Sequence, residues 1–441
     1  MKLLTCSVWG AALLAISAQA AETKPQPAAC PKEVPETAQC FSGQDSAGAF
    51  YMLAVPKDWS GVLVLHAHGG PELGPPSLDR TAEDLTRWAI MVKAGHAWAG
   101  SSFRQGGVEV RAAAEDTERL RGIALDLLGK PRRTILHGQS WGASVAARGG
   151  EMFTEKTLGT RPYDGVLLTS GVLGGGSRSY DFRLDLRAVY QYYCGNHPRP
   201  DEAAYPLNIG LPVDVKMMGA EVGKRVSDCL ALDKPVAERS PEQQKKAAQI
   251  EKILKIPASS IQSHLNWATF HFRDIVSKRT GGASPFGNDG VRYTGSDDDA
   301  ALNAGVVRVK ADPIALRQFA EDTDPQGAIP VPVLTVKWIS DPTAFAELDA
   351  QFKETMTRAG TADHLVQTFT AKGTHSYISD PTYPALMGAL LDWVDKGEKP
   401  TPTGVAARCK AAEAMFGPGC SFEPEYTPAP LSSRVAPRGA P

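Results

Sequence analysis

The stretch Arg133-Thr134-Ile135-Leu136-His137-Gly138-Gln139-Ser140-Trp141-Gly142 decides the fold. Its first five residues carry a short apolar run that reads as a buried strand. The small-residue stretch that follows, residues 143–152, reads as a helix. Between them lies Gly138-x-Ser140-x-Gly142. Strand, G-x-S-x-G, helix is the context of a nucleophile elbow. In such a turn the serine backbone is strained, and flanking glycines let the turn pack closely, so a hydroxyl is held out above a sheet. Ser140 is therefore the candidate nucleophile.

Working outward, strands are expected at residues 50–55, 61–66 and 96–101 before the elbow strand, and at 166–169 after it. Helices are expected at about residues 81–94 and 110–128. Strands alternating with helices imply a mostly parallel sheet covered on both faces. The alternation stops over residues 174–329, which are punctuated by Pro and Gly and hold helical pieces without a run of strands. It resumes with strands at 333–338 and 365–369 and a helix at 383–395. The interruption reads as an inserted, mainly helical cap. The expected organisation is a leader over residues 1–20, a core in two parts (21–173 and 330–398), the cap between them (174–329), and a Pro-rich tail (399–441).

The chain of 441 residues is 42% apolar and 22% charged, enough for a large core. A net charge of −2 does not suggest an electrostatic nucleic-acid binder. Lys2, an apolar stretch over residues 8–18 and Ala18-Gln19-Ala20 read as a signal peptide cleaved after Ala20. No other stretch is long and apolar enough to span a bilayer, so no stable membrane insertion is expected after cleavage. The expected location is periplasmic or secreted. Loss of Cys6 with the leader leaves six cysteines in sequence-local pairs: Cys30 with Cys40, Cys194 with Cys229, and Cys409 with Cys420. An oxidising compartment permits three disulfides, each worth roughly 2–3 kcal/mol, with neighbour pairing the simplest connectivity. No C-x-x-C spacing points to a metal site.

A serine hydroxyl needs a base, and the base needs an orienting carboxylate. Asp341 follows the strand at 333–338, and His375 follows the strand at 365–369, giving the order Ser, Asp, His. Asp181 is the reserve for the acid. His364 precedes its strand and His137 lies within the elbow strand, so both are worse placed. Oxyanion donors are expected from the backbone N–H of Trp141 and from the loop His66-Ala67-His68-Gly69-Gly70-Pro71. Pro71 has no N–H, so Gly70 is the preferred donor and Gly69 the fallback. His66 and His68 are expected to pack under that loop rather than bind a metal.

In the cap, Ile261, Leu265, Ala268, Phe272 and Ile275 form one helical stripe, and His264, Trp267 and His271 another. A helix apolar on two sides is either sandwiched in a core or places Trp267 and His271 in the roof of a substrate pocket. The acidic run Asp297-Asp298-Asp299 reads as a solvated loop. There is no phosphate-cradling loop with its lysine and no haem or flavin signature, so no cofactor is expected.

These residues resemble the α/β-hydrolase superfamily, and more narrowly exported bacterial esterase-type serine hydrolases with an inserted cap. The resemblance implies an α/β-hydrolase fold with the cap between core strands 6 and 7. It also implies a carboxylic ester hydrolase acting through an acyl-enzyme on Ser140. His68-Gly69-Gly70-Pro71 and Ser140-Trp141-Gly142 are also similar to the proline iminopeptidase and tripeptidyl aminopeptidase family, although Glu72 stands where that family has glycine. The alternative is therefore an exopeptidase using the same triad. Tannases and feruloyl esterases often carry cysteines beside the serine and histidine; Gln139, Trp141, Thr374 and Ser376 occupy those places. The expected partner is a small ester or a short peptide.

Overall fold

The apolar runs flanking the elbow form the centre of one nine-stranded sheet in a computed structural model that describes residues 23–438. The strands are β1 (Gln26–Ala28), β2 (Gln39–Gln44), β3 (Phe50–Val55), β4 (Val62–Ala67), β5 (Ala97–Ser101), β6 (Arg133–Gln139), β7 (Gly165–Thr169), β8 (Val333–Trp338) and β9 (Leu365–Thr370). Their order is β1-β2-β3-β5-β4-β6-β7-β8-β9. The six strands from β5 through β9 in that order are parallel, and β3, β2 and β1 continue from β5 with antiparallel pairings. This is the α/β-hydrolase fold.

The register explains the two-sided core. Leu63, Leu65, Leu136, Val166 and Leu168 face the helices Val110–Leu128 and Trp141–Met152. Their neighbours Val62, Val64, Ile135, Leu167 and Leu334 turn the other way, toward Trp88, Met91, Leu386 and Leu390. Successive side chains alternate between faces, so a strand covered on both sides must be apolar throughout. β4, β5 and β7 are buried along their whole length.

With the three-residue edge strand β1 left aside, β7 and β8 are the sixth and seventh strands. Between them the chain is mainly helical, with helices at Gly175–Cys194, Gly219–Leu230, Pro241–Leu254, Asp299–Gly305 and Pro313–Thr323. Residues 261–279 form a further helix, wound partly as π-helix over Trp267–His271 and Ile275–Arg279. The helix Gly175–Cys194 is buried continuously from Ser179 to Tyr190 and forms the axis of this segment. The end of the chain ties it down. Arg438 reaches Asp185 (2.6 Å) and Asp181 (3.6 Å), and Arg434 pairs with Glu347 of the core (3.0 Å).

Three expectations need correction. β1 and β2 precede residue 50, where the first strand was expected. β2 is polar (QCFSGQ), and only its pairing with β3 and the Cys30–Cys40 disulfide reveal it as a strand. The helix expected over residues 81–94 is two helices, Leu78–Arg87 and Ala89–Lys93, separated at the fully buried Trp88. The tail holds the helix Pro402–Phe416, capped by the Thr401 side chain and packed on the helix Thr382–Lys396. Cys194 pairs with Cys229, and Cys409 with Cys420. The expected leader and Cys6 lie outside the described residues. Among the described residues no helix is long and apolar enough to cross a membrane.

Candidate active site

The turn after β6 holds Ser140 at φ 56°, a left-handed conformation that a serine adopts only under constraint. The constraint is visible on both sides. Ser140 N–H donates to Thr169 O of β7 (3.0 Å), and Ser140 O accepts from Val172 N–H (3.1 Å). The elbow glycines are there for space. A Cβ on Gly138 would overlap Gly142 O, and one on Gly142 would overlap the carbonyls of Ala67 and His68.

The loops after β8 and β9 bring the other two residues to this hydroxyl. His375 Nε2 lies 2.7 Å from Ser140 Oγ. His375 Nδ1 lies 2.7 Å from Asp341 Oδ2. The other carboxylate oxygen of Asp341 accepts from Thr343 N–H (2.8 Å) and Ala344 N–H (3.0 Å), which fix its orientation. Asp341 is buried, while the His375 side chain keeps 19% exposure and so remains open to a reactant. Gln139 Nε2 donates to His375 O (3.1 Å), tying the histidine loop to the elbow strand. The reserve acid, Asp181, is elsewhere, paired with Arg178 and Arg438. His364 bonds to Ile329 O, and His137 to His66 across the adjacent central strands β6 and β4.

The loop after β4 carries Gly70, the expected oxyanion donor. Gly69 O accepts from Arg80 Nη2 (2.8 Å) and from His68 Nδ1 (3.0 Å). In a trans peptide the C=O and the next N–H point in opposite directions. Pinning Gly69 O therefore aims Gly70 N–H the other way. Gly70 needs its left-handed φ of 75° to make this turn. Trp141 begins its helix, so its N–H has no acceptor within that helix. Gly70 and Trp141 both line one cleft, with His68, Phe103 and Glu72. Glu72 holds Arg80 Nη1 at 2.9 Å, and Arg80 also reaches Asp84 (3.2 Å).

The histidines under this loop are neutral at pH 7. Burial lowers His68 and His137 to about 3, and lowers His66 well below the ordinary histidine value. Burial raises Asp84 to about 7.

The second stripe of the 261–279 helix comes close to these groups. His264 Nε2 donates to Pro342 O (2.9 Å), one residue beyond Asp341. Trp267 stacks on His271 (5.8 Å between centroids), and His271 Nδ1 accepts from Tyr180 OH (3.0 Å). Tyr180 meets the Trp141 ring edge-on at 6.1 Å. The first stripe, Ile261 through Ile275, is fully buried. The helix is thus packed on one side and borders the elbow through its other side.

Sequence reading gave no positioning role to Arg80, Gln139 or His264 and did not single out Arg183. Arg80 shows an i,i+4 pairing with Asp84, but its contact with Gly69 is tertiary. Arg183 sits in an alternating charged run, Arg178, Asp181, Arg183, Asp185, Arg187, which leaves the pairing undecided.

No protein-family model matches the chain, and no curated sequence does. Among solved structures it is similar to an esterase from Aspergillus oryzae, with a TM-score of 0.45, 12% identity and 86% of each chain covered. It is similar to feruloyl esterase B from Aspergillus oryzae, with a TM-score of 0.41, 12% identity and 82% of each chain covered. It is also similar to tannin acyl hydrolase from Aspergillus niger, with a TM-score of 0.41, 12% identity and 86% and 83% of the two chains covered.

Proposed function

We propose that this chain is an exported serine hydrolase that cleaves carboxylic esters through an acyl-enzyme on Ser140. The observation that carries the reading is the unbroken chain Ser140 Oγ, His375, Asp341, with both links at 2.7 Å, built on an elbow at φ 56°. In this reading Ser140 Oγ attacks the ester carbonyl carbon while His375 Nε2 takes its proton. Asp341 holds the Nδ1–H tautomer and stabilises the imidazolium. Negative charge on the former carbonyl oxygen is met by the N–H groups of Gly70 and Trp141, each worth roughly 3–4 kcal/mol in the transition state. His375 returns the proton to the leaving alcohol. Water, deprotonated by His375, then releases the acid and restores Ser140.

The helical segment would act as the roof, with Trp267 and His271 among its inner residues. Three disulfides and the N-terminal leader pattern support export. An aminopeptidase would use the same triad but needs an acid to hold the substrate's amine. Glu72, Glu109 and Asp116, the acids lining the cleft beside Gly70 and Trp141, are engaged with Arg80, with Arg279, and with Arg104 and Arg119. This favours the ester reading.

The test is a paired assay of the mature chain, p-nitrophenyl acetate and butyrate against aminoacyl nitroanilides. Ester turnover is expected, falling about 10⁶-fold in Ser140→Ala. Turnover of the anilides alone, or hydrolysis undiminished in Ser140→Ala, would overturn it.

A further inference from the structure

The charged run on the helix Gly175–Cys194 has an uneven outcome. Asp181 pairs with Arg178 and Arg438, and Asp185 with Arg438 and the Tyr293 hydroxyl. Arg183, between them, is left without a carboxylate. Its residue is 2% exposed. Burial pulls its pKa down to about 9, and only Tyr180 acts to raise it. It therefore remains a cation at neutral pH, desolvated and lacking a counter-ion among the described residues. Such an arrangement is unfavourable in an empty protein interior and becomes favourable when an anion arrives.

The geometry of the guanidinium narrows what that anion is. Nη1 is used, donating to Ser179 O (2.7 Å) and Ser179 Oγ. Nε is buried with no acceptor, and Nη2 donates to no protein atom among the described residues. Nε and Nη2 form one edge of the guanidinium, whose two parallel N–H bonds match the two oxygens of a carboxylate. Trp267 covers one face at 3.9 Å, and the Tyr180 ring lies 5.2 Å away. Aromatic walls beside an unpaired edge suit a planar group.

The position links this edge to the reaction. Tyr180 packs on Trp141 of the elbow, and Trp267 packs on His264, which bonds to the residue after Asp341. Two further polar atoms here are buried without partners: the donor Trp141 Nε1 and His264 Nδ1. With His264 Nε2 donating to Pro342 O, that Nδ1 is an acceptor.

We propose that Arg183 is an anion-binding subsite of the esterase pocket and that the substrates are esters carrying a free carboxylate, gripped by the Nε–Nη2 edge. This rests on the hydrolase reading above for its catalytic half only.

The experiment therefore has two arms. In the first, the mature chain is assayed with monoethyl and diethyl succinate and adipate near pH 7.5. The monoesters are expected to win in kcat/KM by tenfold or more. In Arg183→Met that ratio should fall about 10- to 100-fold, the value of a charge-assisted hydrogen-bonded contact. Arg183→Lys, which keeps the charge without the fork, should retain part of it, and it serves alone if the Met variant does not fold. A wild-type ratio at or below one, or a ratio unchanged by the substitutions, overturns the proposal. In the second arm, Ser140→Ala is titrated with benzoate and with neutral benzamide, read by tryptophan fluorescence. Benzoate should bind at least tenfold tighter, and a second substitution, Arg183→Met or, should that fail to fold, Arg183→Lys, should reduce the difference. Equal binding overturns the subsite. A chain that hydrolyses no ester yet binds benzoate through Arg183 would fail the hydrolase reading and leave the subsite standing.

Discussion

Gly69→Ala is the sharpest probe of the loop that faces Ser140. The φ of Gly69 lies outside the left-handed region, so this residue is glycine for space and not for backbone freedom. A Cβ there would overlap Gln139 Oε1 and stand 3.0 Å from both Gln139 O and Ser140 Cβ. The Gln139 side chain can swing aside, at the loss of its bond to His375 O, about 1 kcal/mol. The other two atoms cannot give, because Gln139 is paired with Thr169 in the sheet and Ser140 N–H is bonded to Thr169 O. The loop must retreat instead, by about 0.4 Å, to restore ordinary contact. Gly70 N–H moves with it. A misplaced donor forfeits much of the 3–4 kcal/mol that one oxyanion contact supplies, so kcat should fall about 100-fold with little change in KM. Gly70→Ala is the control. Its Cβ would meet nothing within 4 Å, and its cost is the left-handed backbone, about 1–2 kcal/mol of stability. The assay is steady-state hydrolysis of p-nitrophenyl butyrate, with thermal unfolding to confirm the fold. A folded Gly69→Ala within threefold of wild-type kcat would refute the placement of the oxyanion loop.

Arg80→Met should lower kcat about tenfold, since it removes the donor that holds Gly69 O and leaves Asp84 buried beside the loop; a kcat unchanged in stopped assays would count against that role. Lys337 and Asp349 form a fully buried pair, and Lys337 Nζ also donates to Gly171 O (2.6 Å) behind the elbow. Lys337→Met should cost about 3–5 kcal/mol in urea unfolding, with much of it recovered in the double variant with Asp349→Asn. His197 Nε2–H donates to Thr269 Oγ1 (2.7 Å) and its Nδ1 faces Arg225, so burial holds its pKa down to about 2. Below pH 6.5 the unfolded chain takes up a proton that the folded chain refuses. His197 should thus contribute a loss of up to about 1.4 kcal/mol per pH unit as pH falls, and His197→Gln should flatten the measured slope by that amount.

How far the chain could be read without its fold depended on the range of the interactions. Strands such as Val62–Ala67 and Gly165–Thr169 are buried on both faces, so composition alone marks them. The order of Ser140, Asp341 and His375 follows from the order of the strands that carry them. β2 is invisible because its polar residues obtain their structure from β3. The break at Trp88 is equally hidden, since an aromatic residue fits the helical pattern and only its burial against Tyr383 and His137 shows the turn. Arg183 stands out only once Arg438, more than two hundred residues away, is seen to satisfy Asp181 and Asp185.

That last contact also sets a clock. The helix Gly175–Cys194 is fastened by a side chain 253 residues beyond Asp185, so it acquires this ionic clasp only after Arg438 has been made. Until then Asp181 and Asp185 lack their principal cation. Synthesis of Arg438 is thus the step that gives both acids of this helix their shared cation.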